Sequence, residues 1–213
     1  GAKVLPILNG IEHIDILQKE LGEEQVIGGL SFIIATLDEN GHVVHSSNQH
    51  DLVFGPLHPA QEEICHSFTS ACEKANMNSR LSPSILEELW QKYMFITAFS
   101  GMTTAANLPI GVLRESETTM ETIREVLMEV KELADAYHVQ LEDKHVEAAI
   151  QQILTFPAES TSSMHQDKRK GLTLEVDHLQ GGAIRLAQKA DLHLPVVKTL
   201  YSLIKPYENG AIK

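Results

Sequence analysis

The sequence predicts an α+β chain that is mainly α, with a short stretch of α/β sheet followed by an all-helical domain. Two observations carry this reading. Up to residue 57 the apolar residues fall in short, β-branched runs broken by Asn-Gly and Gly signals, as strands and tight turns require. Beyond Pro59 they recur with a period near 3.6, the spacing of an amphipathic helix face. A third observation sets the class: 43% hydrophobic and 22% charged residues in 213 describe an ordinary globular chain, enough for one large or two small domains.

Taken in order, Val4-Leu5-Pro6-Ile7-Leu8 is an apolar run ended by Asn9-Gly10 and reads as a buried strand with a turn. Ile14, Ile16, Leu17 and Leu21, closed by Gly22, suggest a short helix. Residues 26–37 read as a strand, Asn40-Gly41 as a hairpin turn, and 42–45 and 52–54 as two further strands. Helices are expected at 59–77, with Ile64, Phe68, Ala71 and Cys72 on one face, and at 84–105. The next, at 117–137, opens on a Thr118/Glu121 capping box. Three more are expected at 142–154, 172–190 and 194–204, the last with Pro195 in its first turn. The texture divides the chain into residues 1–57 and 58–213.

Lys and Arg number 17 against 29 Asp and Glu, a net charge of −12, which disfavours nucleic acid or an anionic membrane as partner. A lone lysine in a cleft can still hold an anionic substrate against that remote field. Cys65 and Cys72 lie seven residues apart in a helical segment, about 10 Å, too far for a disulfide, so two reduced thiols and a cytoplasmic location are expected. No run approaches the roughly 18 apolar residues of a membrane span, and no signal peptide opens the sequence.

Three places combine polar groups with structural punctuation. Asn9-Gly10 sits at the C-terminal end of a strand, the edge at which open α/β sheets bind ligands, although an Asn-Gly turn is explained without one. Lys92 follows Trp90 and precedes Tyr93-Met94-Phe95-Ile96, and it shares an i, i+4, i+8 stripe with Ile96 and Ser100. It reads either as a solvated lysine at a helix edge or as a partly desolvated proton donor. Ser163 fits a capping box with Gln166, at a helix start that would also suit a carboxylate. Glu175 precedes Gly181-Gly182, two helix-weakening glycines that close packing against another backbone would justify.

The ordered set Val4-Leu5-Pro6…Leu8-Asn9-Gly10, Glu88-Leu89-Trp90-Gln91-Lys92, Ser162-Ser163-Met164-His165-Gln166-Asp167 and Thr173-Leu174-Glu175-Val176-Asp177 resembles the ketopantoate reductase family. The likeness continues through Gly182-Ala183…Arg185-Leu186-Ala187 to Pro195-Val196…Leu203-Ile204-Lys205 and spans essentially the whole chain. It implies a Rossmann-type α/β domain, here the C-terminal remnant over 1–57, and a helical domain similar to that of 6-phosphogluconate dehydrogenase over 58–213. It implies reduction of a 2-oxo acid, ketopantoate to pantoate in pantothenate biosynthesis, with NADP as cofactor and NAD as the other possibility. By the resemblance Lys92 is the proton donor, Asn9 touches cofactor and substrate, Ser163 binds substrate and Glu175 holds the cofactor.

Departures from the family pattern bear on the substrate. Asparagines common in pantothenate-pathway members are replaced by Ile96 and Ser100, and a further one by Ile110. A 2-oxo acid bulkier and more apolar than ketopantoate, reduced to a D-2-hydroxy acid, is therefore a second expectation; a non-catalytic helical dimerisation module is a third. No G-x-G-x-x-G occurs, and Gly28-Gly29 lie within a strand pattern, so the chain is expected to lack the dinucleotide-binding start. The sheet edge this would leave makes a homo-oligomer expected. His42, His45 and His50 are close in sequence, but the first two have opposite strand parity, and no metal site is expected.

Overall fold

In the computed structural model the described residues are Gly1 to Gly210, without the side chains of Ile34, Thr36, Leu37 and residues 46–50. His50, the third of the clustered histidines, thus has a side chain outside the described residues. The chain forms two compact units, Gly1–Asn9 with His13–Leu89, and Gly10–Glu12 with Trp90–Lys213.

In the first unit, Val4 makes a single parallel bridge to Val26, with Val4 N–H donating to Gln25 O and Ile27 N–H to Val4 O. The expected buried strand at 4–8 does not form: Ile7 and Leu8 are exposed, and Pro6 has no N–H with which to extend the ladder. Helix α1, Glu12–Leu21, ends at Gly22 with φ +94°, the left-handed stop that its glycine allows. Strands β1 (Gly28–Leu37) and β2 (Val43–Gly55) pair antiparallel. Asp38 Oδ1 accepts the N–H groups of Asn40 and His42 across the turn between them. The two short strands expected at 42–45 and 52–54 are thus one, because the polar residues between them are absorbed at a register break between Ile33 and Ala35.

Strand β3, Ser79–Leu81, adds parallel to β2 and completes a sheet of order β1-β2-β3; three residues before Pro83 carry too little pattern to be read as a strand. Helix α2, Glu62–Lys74, buries Cys65 and Cys72, while Ile64 faces outward, one position off the predicted face. Both thiols are free. Gly28 and Gly29 pack on hydrocarbon: a Cβ on Gly28 would lie 2.9 Å from Ile85 and one on Gly29 would overlap Leu5.

Helix α3, Ile85–Ala106, ends the first unit and runs on into the second. There follow α4 (Ile110–Leu113), α5 (Glu117–Ala136), α6 (Asp143–Thr155), α7 (Ser163–Lys170), α8 (Gln180–Lys189) and α9 (Pro195–Ile204). The predicted helix at 172–190 is in fact a 3₁₀ turn, Glu175–Asp177, followed by α8. Helix α5 is capped by Ser116, whose side chain accepts from Thr119 N–H, rather than by Thr118. Glu129 of α5 accepts from the N–H groups of Val196 and Val197 at 2.8 and 2.9 Å, closing the start of α9 behind Pro195. Among the described residues no helix is long and apolar enough to cross a membrane.

One buried side chain knits the first unit together. Gln61, fully buried, accepts from Leu57 and His58 N–H at 2.8 and 3.1 Å and donates to the carbonyls of Glu23 and Val26 at 2.9 Å each. All four of its hydrogen-bonding positions are satisfied. Gln61→Ala strands several of these groups, and at about 1–3 kcal/mol per buried orphan, offset by local rewetting, urea denaturation should show a loss of roughly 2–4 kcal/mol. Gln61→Glu, which sets a carboxylate against two carbonyls, should be at least as damaging.

Candidate active site

The site is built around α3, a long and mostly apolar helix whose buried polar groups must find partners inside the protein. Its packing is directed by those groups. Tyr93 Oη donates to Leu179 O at 2.6 Å, Gln180 Nε2 donates to Thr97 O at 2.9 Å, and Lys168 Nζ donates to Thr104 O at 2.8 Å. Thr103 Oγ1 lies 2.9 Å from Ser162 Oγ. Gly101 permits the closest approach: a Cβ there would stand 3.0 Å from both Gln180 and Leu200.

Lys92 lies half-buried on this helix. Burial pulls its ammonium pKa down, and the charge of Glu175 opposes the shift. Glu175, half-buried, opens the 3₁₀ turn, and its carbonyl accepts from His178 and Leu179 N–H. Ile96 is half-buried one turn beyond Lys92, and Ser100 is 4% exposed with an Oγ that has no protein partner. Ile110 is wholly inaccessible, so its side chain cannot line a pocket in this conformation.

At the start of α7 the roles of the two serines differ from expectation. Ser162 is the N-cap, its Oγ accepting from His165 N–H at 3.1 Å, while Ser163 is the first helical residue and is exposed. The cap thus does not account for Ser163. His165 is buried, with Nε2 3.2 Å from Asn107 Oδ1 and Nδ1 without a protein partner. Burial, then Arg169 and Lys168, lower its pKa and keep it neutral. Sequence reasoning missed Thr103 and Asn107, since both touch the α7 turn only through the fold.

Asn9, half-buried, belongs to the first unit, and the next three residues belong to the second. Gly10 has φ +87°, and a Cβ there would approach His178 O to 3.1 Å. Glu12 pairs with Arg185 at 2.6 Å, and Arg185 also holds Asp177 at 3.2 Å. Asp177 Oδ1 accepts from Tyr201 at 2.8 Å and Lys205 at 2.9 Å. The neighbours that Gly181 and Gly182 accommodate are therefore side chains, chiefly Tyr201, Asp177 and the Glu12 carboxylate, and not the backbone expected of them.

Comparison with known proteins places the chain. The family model for the ketopantoate reductase PanE/ApbA C-terminal part matches residues 84–208, and that for ketopantoate reductase PanE/ApbA matches residues 1–59. An oxidoreductase of Bacillus subtilis is 31% identical over 96% of this chain and 68% of its own length. A 2-dehydropantoate 2-reductase of Halobacterium salinarum is 26% identical over 96% of this chain and 67% of its own. Among solved structures, a ketopantoate reductase from Ralstonia eutropha superposes with a TM-score of 0.82 at 28% identity, covering 97% of this chain and 67% of that one. D-mandelate dehydrogenase, solved with NADH and anilino(oxo)acetate, reaches 0.86 at 22% identity with the same coverage, and that likeness speaks to fold alone.

The class is that of an oxidoreductase with a Rossmann-type sheet remnant and a helical C-terminal domain. This chain belongs to the ketopantoate reductase family.

The Asp177 cluster makes an acid-stability prediction. Hydrogen bonds from Lys205 and Tyr201, with the Arg185 charge, hold Asp177 down at a pKa of about 2 against the ordinary aspartate value of 3.8. A depressed carboxylate pKa stabilises the fold above pH 3.8 and ceases to as pH falls towards 2. The group is partly exposed, so screening limits the gain to about 1 kcal/mol, or roughly 2–4 °C in Tm. Asp177→Asn should melt lower than the parent by that amount at pH 7, with the gap closing towards pH 2 in calorimetry.

Proposed function

We propose that this chain is the catalytic part of a nicotinamide-dependent 2-oxo acid reductase of the ketopantoate type, with Lys92 as the proton donor. One observation carries the reading: a half-buried ammonium lies within the field of the Glu175 carboxylate, on the same helix that docks the Ser162–Ser163 turn through Thr103. A desolvated lysine is a better acid than an exposed one and loses less of its field to solvent. As the carbonyl carbon is reduced its oxygen gains charge, and Lys92 stabilises that oxygen and protonates it to the hydroxyl. Ser163, exposed at the first turn of α7, orients the substrate carboxylate beside free helix N–H groups. Ser100 offers its unpartnered hydroxyl and Ile96 lines the substrate side, while the role of Asn9, an amide to cofactor and substrate, rests on the family resemblance alone.

The hydride is the contribution of the bound cofactor, NADP by family expectation, with NAD as the alternative. Glu175 fits its ribose hydroxyls as an acceptor. Gly28 and Gly29 do not fit a phosphate cradle, because their missing Cβ space is filled by Ile85 and Leu5. The 213 residues by themselves therefore should not turn over, and titration with NADPH followed by fluorescence should show no saturable micromolar binding. The functional division near residue 58, a cytoplasmic location and assembly as a homo-oligomer belong to the same proposal. The free thiols support the location, and exposed Ile33, Val43 and Val44 support self-association. Accessible Ile96 favours a second reading within the family, a D-2-hydroxyacid dehydrogenase for a bulkier apolar 2-oxo acid.

In the intact enzyme Lys92→Ala should lower kcat by roughly 10²–10⁴; a variant within about threefold of the parent would remove Lys92 from the mechanism. The pH profile gives an independent check. Proton donation needs the ammonium, so kcat/KM should fall as pH rises through a midpoint below 10.5, the ordinary lysine value. Glu175→Gln should move that limb lower still, because the carboxylate charge helps to retain the proton.

A further inference from the structure

The face of α3 that bears Lys92 also bears three bulky apolar side chains. At about 100° per residue, Ile96 lies roughly 40° to one side of Lys92, Phe99 about 20° and Phe95 about 60° to the other, all within ~11 Å along the axis. Phe95 and Phe99 stack with ring centroids 5.5 Å apart and an interplanar angle of 13°. Phe156, from the segment after α6, sets its edge against both, at 5.8 Å and 74° to Phe95 and 5.4 Å and 87° to Phe99. Phe99 is buried beneath, but Phe95 and Phe156 are only half-buried and present ring surface.

Phe156 is held there by a polar device. Arg114 Nη1 donates to the carbonyls of Ile153, Leu154 and Phe156 at 3.3, 2.8 and 2.6 Å, acceptors that the end of α6 leaves unpaired. The segment beyond is tied to α4, with Ile110 N–H donating to Ser160 O at 2.9 Å and Gly111 N–H to Ala158 O at 2.8 Å. Gly111 is obligatory, since a Cβ would stand 2.6 Å from Ala158. Six residues past Phe156 the same segment reaches Ser162, bonded to Thr103, one turn beyond Phe99. Residues 156–163 thus run as a pinned strap along α3, with an aromatic ring at one end and the proposed carboxylate-binding serine at the other.

We propose that Phe95, Phe99 and Phe156 form the wall that receives the side chain of the 2-oxo acid, selecting an aryl or branched group, and that Arg114 is a positioning residue that sets this wall through Phe156. The inference rests on Lys92 being the proton donor, since that places the C2 oxygen at one end of the face and the substituent along it. Ring against ring adds attraction beyond buried area, which a compact hydroxyl-bearing side chain cannot collect.

The test is the ratio of kcat/KM for phenylglyoxylate to that for ketopantoate in the intact enzyme. Phe156→Ala should lower the ratio about tenfold or more, chiefly through KM for the aryl acid. Arg114→Ala should lower it in the same direction, and Arg114→Lys, which keeps a cationic donor for those carbonyls, should recover part of it. Phe95→Leu, a milder change at the half-exposed ring, serves if Phe156→Ala melts far below the parent by circular dichroism. A ratio unmoved in the folded variants, with both substrates affected alike, overturns the wall and leaves the reductase reading intact. Full activity in Lys92→Ala would instead overturn the reading beneath it.

Discussion

The second unit is organised by the cost of burying polar groups on a helix that lies largely inside it. Beyond its first turn helix α3 carries a glutamine, a lysine, a tyrosine, three threonines and a serine among aromatic and aliphatic side chains. Once the apolar majority drives it inward, each polar group requires a partner, and the partners bring the other elements with them. Tyr93 and the Thr97 carbonyl dock the start of α8, and the Thr104 carbonyl and Thr103 dock α7. The hydroxyl of buried Ser100, two turns along the helix from the partly desolvated Lys92, remains without a protein partner after this packing.

A second, more polar lock governs the segment that follows Asn9. Gly10 turns against the His178 carbonyl, and Glu12 reaches Arg185, which also holds Asp177. Tyr201, Lys205 and Glu208 extend the network towards the C-terminus of the described chain. Gly181 and Gly182 make room for it, which accounts for two glycines in a ten-residue helix that would otherwise prefer alanine. Because the charges are partly solvated, this network contributes more to orientation than to stability.

Periodicity made the large helices legible, since apolar spacing depends only on which face is buried. The serine cap at α7 was legible as a type of residue but misplaced by one position, because Ser162 and Ser163 are chemically identical and only the backbone decides which precedes the first turn. Strand β3 and the joined β2 escaped for a related reason: three residues carry no pattern, and the polar residues in β2 look like loop until a partner strand pairs their backbone.

By itself, the sequence determined the class of the chain, the helical domain and the family, through motifs whose order and spacing survive in the primary structure. It also placed Lys92 among apolar neighbours. Only the tertiary structure decided which groups act together: that Glu175 opposes the desolvation of Lys92, that Ile110 is sealed away while Ile96 is accessible, and that Phe156 stands against Phe95 and Phe99. The reason is physical. Burial, field and ring contact depend on distances between residues tens of positions apart, and no local pattern encodes those distances.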